Sequence, residues 1–164
     1  MTAGPSRPVV IEELPPGKRQ RARHILDDGF SGIYRLHAQF TLRRVPVVRI
    51  ATFGGEDAGV VLLKWLTGNI GYVYYIAVAG KYRGLGVGGR LLDHAISYFS
   101  EKGALEVYAA REEDNSEAKA LFESRQFTVM EDAELSGRFG AWQSRRMRRE
   151  MMKVYGELLL RRTL

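Results

Sequence analysis

The chain has 164 residues, 45% hydrophobic and 27% charged, with no cysteine and a formal net charge of +6. That length suits one domain with a sizeable core, and the lack of cysteine excludes disulfides, thiolate zinc sites and a cysteine nucleophile. No apolar run approaches the ~18 residues of a membrane span, and "MTAGPSRPVV" lacks the basic and apolar regions of a signal peptide, so a cytoplasmic protein is expected.

Residues 1–8 are expected to be a flexible N-terminus and residues 9–164 a single domain. "VVIEEL" reads as a first strand, closed by Pro15, Pro16 and Gly17. "GKRQRARHILDDGF" and "SGIYRLHAQFTLRRV" read as two helices parted near Gly29–Gly32, with Ile33, Leu36 and Phe40 as the apolar stripe of the second. "VVRIATF", "AGVVLLKWL" and "IGYVYYIAV" follow as strands separated by the tight turns "GGED" and "TGN", which makes an antiparallel meander.

From Gly86 to Ser100 the period changes: Val87, Leu91, Leu92, Ala95, Ile96 and Phe99 fall on one face of an amphipathic helix. "LEVYAA" is the next strand. A short helix is expected from Asp114, capped by Asp114 and Glu117, with Ala118, Leu121 and Phe122 as its stripe. "FTVM" and "AWQSRRM" read as strands, and Met151, Val154, Tyr155, Leu158 and Leu159 define a basic C-terminal helix over about 148–162. From Arg138 to Leu164 there are eight Lys/Arg against two Asp/Glu, so the whole basic excess lies there. A solvated basic face is the expected reading of it, ahead of a phosphate or nucleic-acid footprint. His24, His37 and His94 show no metal-ligand spacing, and no metal site is expected.

"KYRGLGVGGRLL" carries the chemistry. Gly84, Gly86 and Gly89 spell GxGxxG between a strand and a helix, where glycine-freed backbone N–H groups meet an anion. A dinucleotide fold is a poor fit: "AGKYR" separates the strand from Gly84, and the following strand ends at Ala110-Arg111 without the acidic residue that reads a ribose. A triphosphate loop would end in GK[ST], and this one ends "GGRL".

The segment "IAVAGKYRGLGVGGRLLDHAI" resembles the signature of the GCN5-related N-acetyltransferases (GNAT), [QR]-x-x-G-x-[GA], with Arg83, Gly86 and Gly88 in register. "NSEAKALFESRQF" is similar to the family's second motif, matching at Asn115, Ala118, Leu121 and Phe127. The resemblance implies an α+β, three-layer fold with a mostly antiparallel central sheet of six or seven strands flanked by helices. It implies acetyl-CoA as cofactor, cradled at its pyrophosphate by the backbone of Arg83, Gly84, Leu85, Gly86, Val87, Gly88 and Gly89. Its pantetheine arm would pair with Ile76, Ala77 and Val78 and be flanked by Asn115, Ala118 and Phe122. The Val78 N–H would serve as oxyanion donor. Arg90, Lys119 and Arg125 are available to phosphate or adenine, or are ordinary surface charges.

Three departures bear on catalysis. The tyrosine that often protonates the leaving thiolate is Phe122; the closing Gly-Phe is Gln126-Phe127; and the usual base positions, near Tyr72 and Ala110, carry no carboxylate. The general base and acid are therefore unassigned, with His37, Glu56, Asp57, Glu112, Glu113 and Asp114 as stand-in bases and Tyr74, Tyr75 and Tyr108 as stand-in acids or relays. At pH 7 an α-amine with a pKa near 8 is roughly 10% neutral and a lysine near 10.4 about 0.04%. A site without a strong base is thus better matched to an α-amine or another small primary amine. The expected activity is acetyl transfer to such an amine, a peptide N-terminus or small molecule, by direct attack in a ternary complex. The alternatives are an acyl-CoA-binding module without turnover and a basic nucleic-acid-facing module; neither nucleic acid nor membrane is the expected partner. "LLL" near the C-terminus is read as a candidate homodimer contact.

Overall fold

The structure is a computed structural model that describes residues 8–153 and 156–164. In chain order it contains β1 (Val9–Glu13), α1 (Gln20–Gly29), α2 (Gly32–Arg44), β2 (Val47–Phe53), β3 (Glu56–Trp65), β4 (Ile70–Val78), α3 (Val87–Glu101), β5 (Glu106–Glu112), α4 (Ser116–Glu123), β6 (Thr128–Met130), α5 (Asp132–Met151) and β7 (Glu157–Thr163). The strands form one seven-stranded sheet in the order β1-β2-β3-β4-β5-β7-β6. β1 pairs antiparallel with β2, β7 pairs antiparallel with β5 and β6, and β4 with β5 is parallel. The expected α+β fold with a sheet of six or seven strands is therefore found, and the sheet is mixed, with β4 and β5 parallel.

By its contacts the chain divides into two compact units. The first takes residues up to Leu62 together with Tyr75–His94, and so holds β1, α1, α2, β2, most of β3, the end of β4 and the start of α3. Its core includes Leu26, Leu42, Val48, Ile50, Ala58, Val61 and Leu91, all buried. The second takes Leu63–Tyr74 and Ala95–Leu164. There Leu66, Ile70, Tyr72, Tyr108, Met130, Leu135, Met147, Met151 and Leu159 form one apolar cluster. The six residues expected on the inner face of α3 are all buried.

Three sequence expectations are corrected. "AWQSRRM" is not a strand; it lies in α5, where Leu135, Ser144, Met147 and Met151 are the buried positions. Gly140 inside α5 is non-helical (φ 77°, ψ 167°), which offsets the apolar stripe and hides its helical period. The expected C-terminal helix is replaced by β7, with Val154 and Tyr155 outside the described residues. Leu159 stands opposite both Ala110 and Met130, so β7 is an inner strand whose pairing partners on both edges are distant in the sequence. Leu159 and Leu160 are thus buried in the chain's own core, and the "LLL" argument for a homodimer contact loses its basis. Finally, Ile33, Leu36 and Phe40 are 68%, 73% and 44% exposed; α2 packs through Ala38, Thr41 and Leu42 instead.

Candidate active site

β4 ends at Val78, a 3-10 turn covers Gly80–Tyr82, and α3 begins at Val87. Gly84 (φ 75°) and Gly86 (φ 80°) are left-handed, with open space where a Cβ would stand. They are needed for their backbone conformation, which an L side chain resists, and not for room. Arg83, Gly84, Leu85 and Gly86 are exposed while Val87 and Gly89 are buried, so an open loop runs directly into an anchored helix. The first-turn amides of a helix lack intrahelical acceptors. No acidic residue occupies the first turn of α3, which leaves its positive dipole end uncompensated. An anion bound there would meet converging N–H groups.

The ladder between β4 and β5 runs from Ile70 opposite Glu106 to Val73 opposite Ala109. From Tyr74 to Val78, β4 continues without a ladder partner on that edge among the described residues. A strand edge of this kind can accept an extended ligand as an added strand.

Neighbouring elements hold the loop in place. The Tyr82 hydroxyl donates to Glu56 Oε2, Lys81 Nζ lies 2.8 Å from the same oxygen, and the Phe53 and Tyr82 rings are 5.6 Å apart. The Gly80 N–H donates to Asp28 Oδ2, and Arg83 Nε donates to the Val78 carbonyl at 3.3 Å. Gly59 of β3 sits under α3: a Cβ there would meet Val87 and Leu91 at 2.8 Å and the Ala77 carbonyl at 3.1 Å. Sequence reading missed this support, although Tyr82 beside the Arg83 motif was a visible signal.

These contacts also decide among the stand-in bases. Glu56 holds Tyr82 and Lys81, and Asp57 takes both Arg21 Nε (3.0 Å) and Nη2 (2.5 Å), so both carboxylates are engaged in structure. Glu112 and Glu113 accept from Arg111 through their carbonyl oxygens, and Glu113 and Asp114 are exposed. His37 differs. From α2 its Nδ1 is hydrogen-bonded to the Tyr75 hydroxyl of β4, and Phe30 meets the Tyr75 ring edge-on at 5.1 Å. Burial holds the imidazole below the usual histidine pKa.

In the second unit, Asn115 Oδ1 accepts from the Ala118 N–H at 3.0 Å, so Asn115 caps α4 and the expected Asp114 cap is displaced by one residue. Ala118 is half-buried, and Phe122 is buried with its ring 5.1 Å from Phe127. Gln126 takes φ 65° at the usual glycine position. Arg90 and Lys119 are exposed, and Arg125 donates to Ser124. Tyr72 is buried against Tyr74. The Tyr74 hydroxyl donates to the Glu150 carbonyl, and burial, then the Glu150 charge, push its pKa up to about 12. Tyr108 accepts from Arg138 Nη1 at 2.6 Å and is likewise pushed up to about 12, first by burial. The predicted residues thus fall into two groups, Ile76–Gly89 in the first unit and Asn115–Phe122 in the second. Among the described residues no three His, Asp or Glu side chains gather as metal ligands, and no helix is long and apolar enough to cross a membrane.

Comparison with known proteins adds to this geometry. Residues 19–127 match the family described as "Acetyltransferase (GNAT) family". A mycothiol acetyltransferase from Corynebacterium aurimucosum is 38% identical over 78 residues, 46% of this chain; the chain spans about a quarter (26%) of that relative. Among solved structures, the ribosomal-protein-S18-alanine N-acetyltransferase of Escherichia coli is similar with a TM-score of 0.64 at 23% identity, over 76% of this chain and 80% of that one. The PaiA N-acetyltransferase of Thermoplasma acidophilum, solved with coenzyme A, has a TM-score of 0.69 at 14% identity, over 96% and 99%.

Proposed function

Because this chain belongs to the GNAT acetyltransferase family, we propose that it transfers an acetyl group from acetyl-CoA to a primary amine, with an α-amine preferred. The carrying observation is the exposed loop with left-handed Gly84 and Gly86 that feeds the uncompensated N-terminus of α3. The backbone from Arg83 to Gly89 takes the pyrophosphate, and the free edge at Ile76, Ala77 and Val78 takes the pantetheine arm. The Val78 N–H then faces the thioester carbonyl and receives charge as that oxygen becomes an oxyanion.

Phe122 offers no proton to the leaving thiolate. A thiol of pKa near ~8.5 leaves as thiolate at modest cost, so turnover does not require that acid. The acceptor must arrive as a neutral amine, and this favours peptide N-termini and small amines over lysine. The relative acting on an S18 alanine accords with an α-amine acceptor. The engaged tyrosines and Phe122 favour a second reading, an acyl-CoA-binding module without turnover.

Thermal unfolding with acetyl-CoA, NADH and ATP in parallel tests the cofactor, followed by an amine panel. Ligand at about 100 times Kd contributes about 2.7 kcal/mol, roughly 5–11 °C for a chain of this size. We expect that shift with acetyl-CoA alone, and a higher kcat/KM for an N-terminal peptide than for its matched Nε-lysyl peptide. A shift with NADH alone would sink the cofactor assignment, and binding without consumption across the panel would favour the module.

A further inference from the structure

The residues usually positioned to deprotonate the acceptor are absent from this sequence, and the structure engages Glu56 and Asp57 elsewhere. We infer that His37, oriented by Tyr75, is the general base that deprotonates the acceptor amine. This rests on the acetyl-transfer reading above and extends it to a residue that neither GNAT motif contains.

The argument begins with position. His37 lies on α2 and reaches across to β4, where its Nδ1 bonds the hydroxyl of Tyr75. Tyr75 precedes Val78 by three residues on the same strand, about 10 Å at ~3.3 Å per residue. The imidazole is thus anchored on the same strand segment that carries the assigned oxyanion donor, Val78. On α2, Ile33 is one turn before His37 and Phe40 one turn after it, and both are exposed. The helix face carrying His37 is therefore open to an incoming acceptor, while the ring is held against β4 from the other side.

The Nδ1–Tyr75 contact has a donor on either side according to the tautomer; the one assigned to His37 here is Nδ1–H donating to the Tyr75 oxygen, which leaves the lone pair on Nε2. Phe30, packed edge-on against Tyr75, restrains the ring that supplies the bond. Asp27 of α1 meets α2 through Gln39 Nε2 at 2.8 Å, Arg44 of α2 lies over the Phe40 ring at 3.7 Å, and β4 presents the Tyr75 hydroxyl. The Thr41 hydroxyl donates to the His37 carbonyl at 2.8 Å. Burial lowers the imidazole's pKa and so favours its neutral form.

The step balances. Nε2 takes one proton from the acceptor ammonium through a relay water. The neutral nitrogen attacks the thioester carbon and forms the C–N bond, with the carbonyl oxygen facing the Val78 N–H. Collapse breaks the C–S bond, and the second amine proton goes to the departing CoA sulfur. His37 then releases its proton to solvent.

The test is a pH profile of kcat/KM from pH 5.5 to 9.5 with acetyl-CoA and an N-terminal peptide, for wild type, His37→Gln, Tyr75→Phe and the surface control His24→Gln. General-base catalysis is worth about 10²–10⁴-fold. We expect His37→Gln to lose about 10²-fold at pH 7, to recover towards wild type as the amine deprotonates unaided near pH 9.5, and to keep the wild-type thermal shift with acetyl-CoA. Tyr75→Phe should lose less and move the acidic limb; His24→Gln should match wild type. A His37→Gln deficit below about threefold, or one that stays constant with pH, overturns the inference while leaving acetyl transfer intact. If His37→Gln fails to fold, Tyr75→Phe decides, because an unmoved acidic limb in that variant also overturns it. A wild type that binds acetyl-CoA but acetylates no amine removes the acetyl-transfer reading and this inference with it.

Discussion

Gln126 holds φ 65° in the turn after α4, where the family motif places glycine. A non-glycine residue in left-handed conformation costs about 1–2 kcal/mol, part of which glycine returns as unfolded-state entropy. Gln126→Gly should therefore stabilise the protein by about 0.5–1 kcal/mol, read as a higher urea midpoint with an unchanged slope. An unchanged or lower midpoint would mean that Gln126 earns its conformation through contacts. At this scale the sequence was legible where a residue's role is intrinsic: the need for glycine at 84 and 86, and the missing hydroxyl of Phe122; that the need is for left-handed backbone came from the structure. It was illegible where the role is a partner. Glu56 and Asp57 read as free acids because Tyr82, Lys81 and Arg21 are distant in sequence.

At the scale of elements, the approach of α3 to β3 depends on Gly59. An added methyl would meet the stiff Val87 side chain and the Ala77 backbone carbonyl, and neither yields easily. Gly59→Ala should cost about 1–3 kcal/mol of stability and also shrink the thermal shift with acetyl-CoA, because the displaced first turn of α3 is the proposed phosphate seat. Lost stability with a full ligand shift would separate the two roles. Elements with a strong local period, such as α3 and β4, were read within a residue of their bounds. α5 and β7 were misread for identifiable reasons: Gly140 breaks the period of the first, and the partners of the second lie 29–33 residues upstream in β6 and 45–57 residues upstream in β5.

Over the whole molecule, much of the C-terminal basic excess is spent internally. Arg138 and Arg161 both bind the buried Glu106, Arg146 pairs with Glu150 at 3.0 Å, and Arg148 and Arg162 donate to backbone carbonyls. That weakens the case for a nucleic-acid surface. Burial alone would raise the Glu106 pKa, but the hydrogen bonds from Arg138 and Arg161 outweigh it and hold the carboxyl below its ordinary value. Its folded pKa is thus depressed, so its contribution is present above the unfolded value near ~4.3 and is lost as pH falls through the lower folded value. Glu106→Gln should cost about 1–3 kcal/mol at pH 7, and the gap to wild type should close below about pH 4 in acid urea titrations. Parallel curves would refute this.

The sequence alone determined the family, the glycine loop between β4 and α3 and most of the sheet, because those depend on local backbone conformation and short-range periodicity. Tertiary structure alone decided which charges are engaged, that β7 replaces the expected helix, and that His37 meets Tyr75. Each of those depends on residues brought together from far apart in the chain, and no local pattern encodes such pairings.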